Sequence, residues 1–234
     1  MADVKTTPIV ALDVESASVA LRLVEDLGDL CRFYKIGSEL YTAEGPDVVR
    51  GVQDLGASVF LDLKFHDIPN TVRGAVRSAA HLGVQLLTVH ASGGAAMLEA
   101  AVQGAREATS DCGILAVSVL TSIDAVVLAT IWGRPVKDIR GEVLRLAELA
   151  RAAGLHGVVC SGEEAEAVRA RFGDSLATLV PGVRLAGGDR QDQVRVVTPR
   201  QAAAAGARYI VVGRAVTAAK SAREAMSEVL SDLS

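Results

Sequence analysis

Aromatic residues are scarce in this chain: 3% of 234 positions, namely one Trp, three Tyr and four Phe. Stacking platforms for nucleic-acid bases need aromatic faces, so their scarcity disfavours a single-strand binder. Positive charge is not in excess. The 24 Lys and Arg stand against 28 Asp and Glu, for a net charge of −4, and nothing in that balance favours nucleic acid or an anionic membrane as partner. Cysteine is limited to Cys31, Cys112 and Cys160, widely spaced and without a CxxC pair. That pattern yields neither a zinc site nor a disulfide framework and reads as reduced structural thiols of a cytoplasmic protein. No apolar run reaches the roughly 20 residues needed to cross a bilayer. The opening Met-Ala-Asp-Val-Lys-Thr-Thr-Pro runs straight into a strand pattern, so no signal peptide is expected.

Half of the residues are hydrophobic and 22% are charged, enough for one sizeable core built from Val, Leu, Ile and Ala. Short apolar runs alternate with amphipathic stretches from end to end. Strands are expected at Ile9–Asp13, Phe33–Gly37, Ser58–Lys64, Leu86–His90, Ile114–Leu120, Gly157–Cys160, Thr178–Gly182 and Tyr209–Gly213. Several are continuous Val/Ile/Leu runs, as in parallel strands covered on both faces. Helical patterns fill the intervals: Val19–Leu27, Pro46–Leu55, Val72–Leu82, Ala95–Ala108, Gly141–Ala153, Glu163–Arg171, Pro199–Ala205 and about Ala218–Leu230. Ser16, Ser18 and Thr71 precede such patterns as capping types, and Gly154 and Gly206 follow them as stops. The segment 131–139 reads as an ordinary loop leading into the helix at Gly141–Ala153. Eight strand–helix units without a linker predict an α/β fold, a single-domain (β/α)₈ TIM barrel over residues 1–234. An open doubly wound sheet is the alternative, but the first strand–helix junction, Ala11 to Ser16, lacks the glycines typical of one.

The most informative stretch is Phe60 to Thr71, which carries Asp62, Lys64 and Asp67 at the end of an apolar strand. Residues two apart share a strand face, so Asp62 and Lys64 point one way and Leu61 and Leu63 the other. Charges are rarely buried unless paired. In a barrel, chemistry sits at the C-terminal strand ends, and polar residues gather there: Asp13, Lys35, His90, Thr121, Arg184 and Arg214. Any one of these has an ordinary explanation as a loop residue, a cap or a surface ion pair; the set is harder to dismiss. After the seventh and eighth strands come Pro181-Gly182-Val183-Arg184, the polar segment Gly187-Gly188-Asp189 with Gln193, and Gly213-Arg214. Those two loops are the usual phosphate site of a barrel enzyme, arginine offers a fork of donors, and glycine lets backbone N–H groups approach an anion.

Asp62-Leu63-Lys64-Phe65-His66-Asp67, continued by Ile68-Pro69-Asn70-Thr71, resembles the signature of the orotidine 5′-monophosphate decarboxylases of bacterial type. The resemblance covers essentially the whole chain and includes the phosphate end from Pro181 to Arg214. It implies that Asp13 and Lys35 bind the ribose hydroxyls and that Asp62 faces the substrate carboxylate. It implies Lys64 as proton donor, with Lys35 and Asp67 completing the catalytic charge array, and Thr121 at the pyrimidine. Arg184, Gln193, Gly213 and Arg214 would hold the 5′-phosphate. Asp67 and Thr71 would reach into the neighbouring site of an obligate homodimer. No metal and no organic cofactor is implied. Two other readings remain open. One is a magnesium-dependent sugar-phosphate decarboxylase or hexulose-phosphate synthase, with Glu39 and Asp62 as ligands. The other is a non-catalytic nucleotide-binding barrel.

Overall fold

The computed structural model describes residues 5–109, 111–185 and 197–234. Eight parallel strands close into a barrel in chain order: β1 (Thr7–Ala11), β2 (Phe33–Gly37), β3 (Ser58–Phe65), β4 (Leu86–His90), β5 (Gly113–Val117), β6 (Gly157–Val159), β7 (Ala177–Val180) and β8 (Tyr209–Val212). Closure is explicit in the pairing of β1 with β8, Thr7 against Tyr209 through Val10 against Val212. The (β/α)₈ barrel expected from the alternating pattern is the fold observed.

Strand period explains the two cores. One residue in two points inward, and Ile9, Ala11, Phe60, Leu86, Leu115, Leu179 and Val211 form a compact cluster inside the barrel. Their neighbours Val10, Tyr34, Ile36, Leu61, Leu87 and Ile210 point outward into the larger core beneath the helices. With few aromatics available, Phe33 and Tyr209 are placed at the first residues of β2 and β8. There they make an edge-to-face pair, centroids 6.3 Å apart, against the interior cluster. Cys31, Cys112 and Cys160 are buried and form no disulfide among the described residues; burial pushes the pKa of the Cys112 thiol up to about 12.

The strands at the mouth are shorter than the apolar runs. β1 ends at Ala11, β5 at Val117 and β7 at Val180, so Asp13, Thr121 and Gly182 lie beyond the last ladder bonds. Chains that splay from the ladder open the mouth, and burial continues past it at Val119 and Val183.

Several local expectations are corrected. Thr71 does not cap its helix: Pro69–Ala80 begins two residues earlier, with Ile68 at the cap and Pro69 in the first turn, a position proline favours. A helix at Ser38–Glu44 follows β2 directly. The terminal helix is two pieces, Arg214–Thr217 and Ala222–Leu233, the second capped by Ser221. Segment 131–139 is not an ordinary loop. It holds the end of a helix, Ala125–Trp132, stopped by Gly133 in the left-handed region (φ 62°). Arg134 then pairs with Glu142 at 2.7 Å, and the Arg134 and Arg145 guanidiniums lie 4.9 and 5.5 Å from the Trp132 ring centre.

Candidate active site

At the C-terminal mouth the interior cluster becomes the floor of a cavity of about 570 Å³, with Ala11, Phe60, Leu179 and Val211 at its base. Asp13, Lys35, Asp62, Lys64, Thr121, Arg184, Gly213 and Arg214 all line it. Eight candidates read from the sequence therefore share one wall system, although they come from six strand ends.

Burial separates their roles. Lys35 and Asp62 are only 8% and 9% exposed, and groups so placed stay charged only if paired. Lys35 Nζ donates to Asp13 Oδ1 at 2.7 Å and lies 3.8 Å from Asp62 Oδ2. Lys64 Nζ donates to the same Asp62 Oδ2 at 2.8 Å, and Thr88 Oγ1 donates to Asp62 Oδ1 at 2.9 Å. Asp13–Lys35–Asp62–Lys64 is thus an alternating row in which the central carboxylate faces two ammonium groups.

Simple alternation does not produce this row. β3 pairs with β4 at Leu61↔Leu87 and again at Phe65↔Val89, with the register shifted between. Within that bulge Lys64 has φ 51°, a conformation uncommon for any residue but glycine, asparagine or aspartate. Bulges beside active sites re-aim side chains, and strained backbone is stored where function requires it. Here it turns Lys64, half-exposed, back over Asp62.

The row also needs space. A Cβ at Gly37 would lie 2.9 Å from Lys35 Nζ and 3.2 Å from Asp13 Oδ1. Gly37 and Thr88 are two positions in contact with the row that sequence reasoning missed. The signal for Thr88 was a hydroxyl isolated within Leu86-Leu87-Thr88-Val89; Gly37 gave none, because its partners lie 2 and 24 residues away.

β7 stands four strands from β3 across the barrel. Beyond it, Gly182 takes φ 71°, which turns the chain after Pro181. Arg184 N–H donates to Val197 O at 3.0 Å, and Val183 bridges Val197, so the segment carrying Arg184 is held at its base. Gly213 caps the short helix that opens with Arg214, and a Cβ there would meet nothing nearer than Ala11 Cβ at 3.8 Å. Its backbone is open to a ligand. Gln193 and Gly187-Gly188 lie outside the described residues.

Asp67 and Thr71 are exposed and absent from the cavity wall. Asp67 Oδ1 accepts from Ile68 N–H at 2.6 Å, and Ile68 is itself 67% exposed. They do not complete the row of their own chain. His90 is half-buried with its ring 5.3 Å from that of His66. Burial, then the charges of His66 and Lys64, lower its pKa. Glu39 lines the cavity but is exposed.

A closed barrel with a Lys–Asp–Lys row at its mouth, its central carboxylate buried, and two arginines lining the same cavity defines a class: an α/β-barrel enzyme acting on a small phosphorylated substrate. Comparison sharpens it. The family model described as orotidine 5′-phosphate decarboxylase / HUMPS family matches residues 6–229, and the chain belongs to that family. It is 49% identical over 228 residues to an orotidine 5′-phosphate decarboxylase of Halorhodospira halophila, covering 96% of this chain and 94% of that protein. It is 48% identical to the enzyme of the same name from Moorella thermoacetica, covering 90% and 85%. The crystal structure of orotidine 5′-phosphate decarboxylase from Lactobacillus acidophilus superposes with a TM-score of 0.86 at 35% identity, covering 97% of this chain and 99% of that one.

Proposed function

We propose that the chain decarboxylates orotidine 5′-monophosphate to uridine 5′-monophosphate in pyrimidine biosynthesis, with Lys64 protonating C6. The observation that carries this reading is the ion-paired row ending in Lys64, whose Nζ is 2.8 Å from Asp62 Oδ2, set across the barrel from Arg184 and Arg214. Breaking the C6–carboxylate bond leaves an electron pair in the plane of the pyrimidine, where the ring π system delocalises it poorly. A fixed ammonium can stabilise that pair and then donate its proton to it. CO₂ departs, the pair becomes a C–H bond, and solvent reprotonates the lysine amine. Asp62 faces the departing carboxylate, and the loss of charge as CO₂ leaves relieves their repulsion.

Asp13 and Lys35 suit the ribose hydroxyls, Thr121 suits the pyrimidine edge, and Arg184, Gly213, Arg214 and Gln193 suit the 5′-phosphate. Phosphate contacts remote from C6 supply binding energy for orientation and lower the barrier as well as KM. Asp67 and Thr71, exposed after β3 on either side of Ile68, fit a homodimer in which each chain supplies them to its partner's site. Three buried cysteines that form no disulfide among the described residues suit a reducing compartment such as the cytoplasm. Among the described residues, no helix is long and apolar enough to cross a membrane.

A magnesium-dependent sugar-phosphate reaction finds less support in the donor set, because Asp62 is engaged on both oxygens by Lys64 and Thr88. The deciding experiment is spectrophotometric loss of orotidine 5′-monophosphate with and without EDTA, for the unmodified protein and Lys64→Ala. Turnover that survives chelation and falls by several orders of magnitude in Lys64→Ala, with uridine 5′-monophosphate still bound, is expected. Metal-dependent turnover of a sugar phosphate instead, or near-normal turnover by Lys64→Ala, refutes the reading.

A further inference from the structure

Thr88 lies in β4 between Leu87 and Val89 and is completely buried. Its Oγ1 donates to Asp62 Oδ1 at 2.9 Å and accepts from Lys64 N–H at 2.9 Å. A hydroxyl has one proton and two lone pairs, so both bonds coexist, and the carboxylate fixes which way the proton points.

These bonds fall where the β3–β4 ladder is interrupted. Between the paired positions β3 advances four residues, 61 to 65, while β4 advances two, 87 to 89. Lys64, inside that excess, takes φ 51°. Its N–H needs an acceptor, because a buried amide without one costs roughly 1–3 kcal/mol, and the Thr88 side chain is the acceptor. The same oxygen orients Asp62, leaving Oδ2 to the two ammonium groups.

We propose that Thr88 is a positioning residue for the decarboxylation inferred above: it locks the Lys64 backbone and the Asp62 carboxylate into one unit. The proposal rests on that reading of the function. Removing the hydroxyl frees both groups, and misplacing a reacting group by about 1 Å can cost about 100-fold in rate.

The test uses Thr88→Val, which keeps the shape without the hydroxyl, and Thr88→Ser, which keeps the hydroxyl. Both are compared with the unmodified protein for kcat on orotidine 5′-monophosphate and for the Kd of uridine 5′-monophosphate. We expect kcat to fall about 100-fold in Thr88→Val, with Kd changed less than about threefold because the phosphate contacts are untouched. Thr88→Ser should recover to within about tenfold of the unmodified rate, the hydrogen bonds being restored. A Thr88→Val protein of normal kcat, a Thr88→Ser protein as slow as Thr88→Val, or parallel losses of rate and product binding each overturn the proposal. If Thr88→Val does not fold, Thr88→Ala is judged by the same criteria. Amide hydrogen exchange at Lys64 reads positioning without turnover: loss of the bond should speed it about tenfold, and unchanged exchange overturns the proposal. An unmodified protein without turnover, yet with faster Lys64 exchange in the variant, fails the functional reading alone.

Discussion

Gly37→Ala offers a narrow test of the charge row. Gly37 has φ −92° and ψ 178°, extended backbone that alanine adopts without strain. The perturbation is therefore the methyl group alone, 2.9 Å from Lys35 Nζ and 3.2 Å from Asp13 Oδ1. An ordinary carbon–nitrogen contact is about 3.5 Å, so the ammonium must retreat by roughly 0.6 Å. Stretching the 2.7 Å bond to Asp13 by that amount, at an effective dielectric of 20, costs about 1 kcal/mol. Stretching the 3.8 Å approach to Asp62 costs about 0.6 kcal/mol more. At about 1.4 kcal/mol per factor of ten, kcat/KM for orotidine 5′-monophosphate should fall on the order of tenfold. The same lost pairing, about 1.6 kcal/mol, together with about 1 kcal/mol or less from the N-cap change, should also lower Tm by a few degrees. The same substitution in a Lys35→Ala background should add almost nothing. Unchanged kcat/KM, or an equal loss in both backgrounds, refutes the steric argument.

Two further predictions concern stability. A Cβ at Gly104 would lie 2.3 Å from the backbone oxygen of Arg73, where the helix Ala95–Glu107 crosses Pro69–Ala80. Because backbone cannot swing aside, Gly104→Ala should cost about 2 kcal/mol and lower Tm by roughly 4–8 °C; a thermal melt within a degree of the unmodified protein contradicts the close approach. His90 has its pKa lowered below 6.5 by burial and then by the charges of His66 and Lys64. The unfolded chain therefore takes up that proton more readily, and stability present above the ordinary histidine value is lost as pH falls through it. His90→Asn should flatten the decline of Tm between about pH 7 and pH 5; an identical decline in both proteins removes His90 as its source.

The fold was legible because its signals are local. Eight Val/Ile/Leu runs separated by capped amphipathic stretches leave little choice but a parallel α/β architecture, and all eight strands were found. The same locality explains the errors. Segment 131–139 looked like a loop because Gly133 and Pro135 interrupt it and it matches no functional motif. Its order comes from Arg134, Arg145 and Glu142 gathering around Trp132, a contact between the end of one helix and the face of the next.

The candidate site divides along the same line. The Asp62-x-Lys64 pair, Asp13, Lys35 and the two arginines could be read from the sequence because strand ends in a barrel converge on one mouth, whatever the details of the loops. Orientation could not. Asp13 meets Lys35 across 22 residues, and Thr88 meets Asp62 across 26. The left-handed turn at Lys64 exists only because β4 holds β3 on either side of the bulge. Position at a strand end determined which residues reach the mouth. The ladder between neighbouring strands, which no local pattern encodes, decided how those residues are aimed and which silent neighbours, Gly37 and Thr88, keep them so.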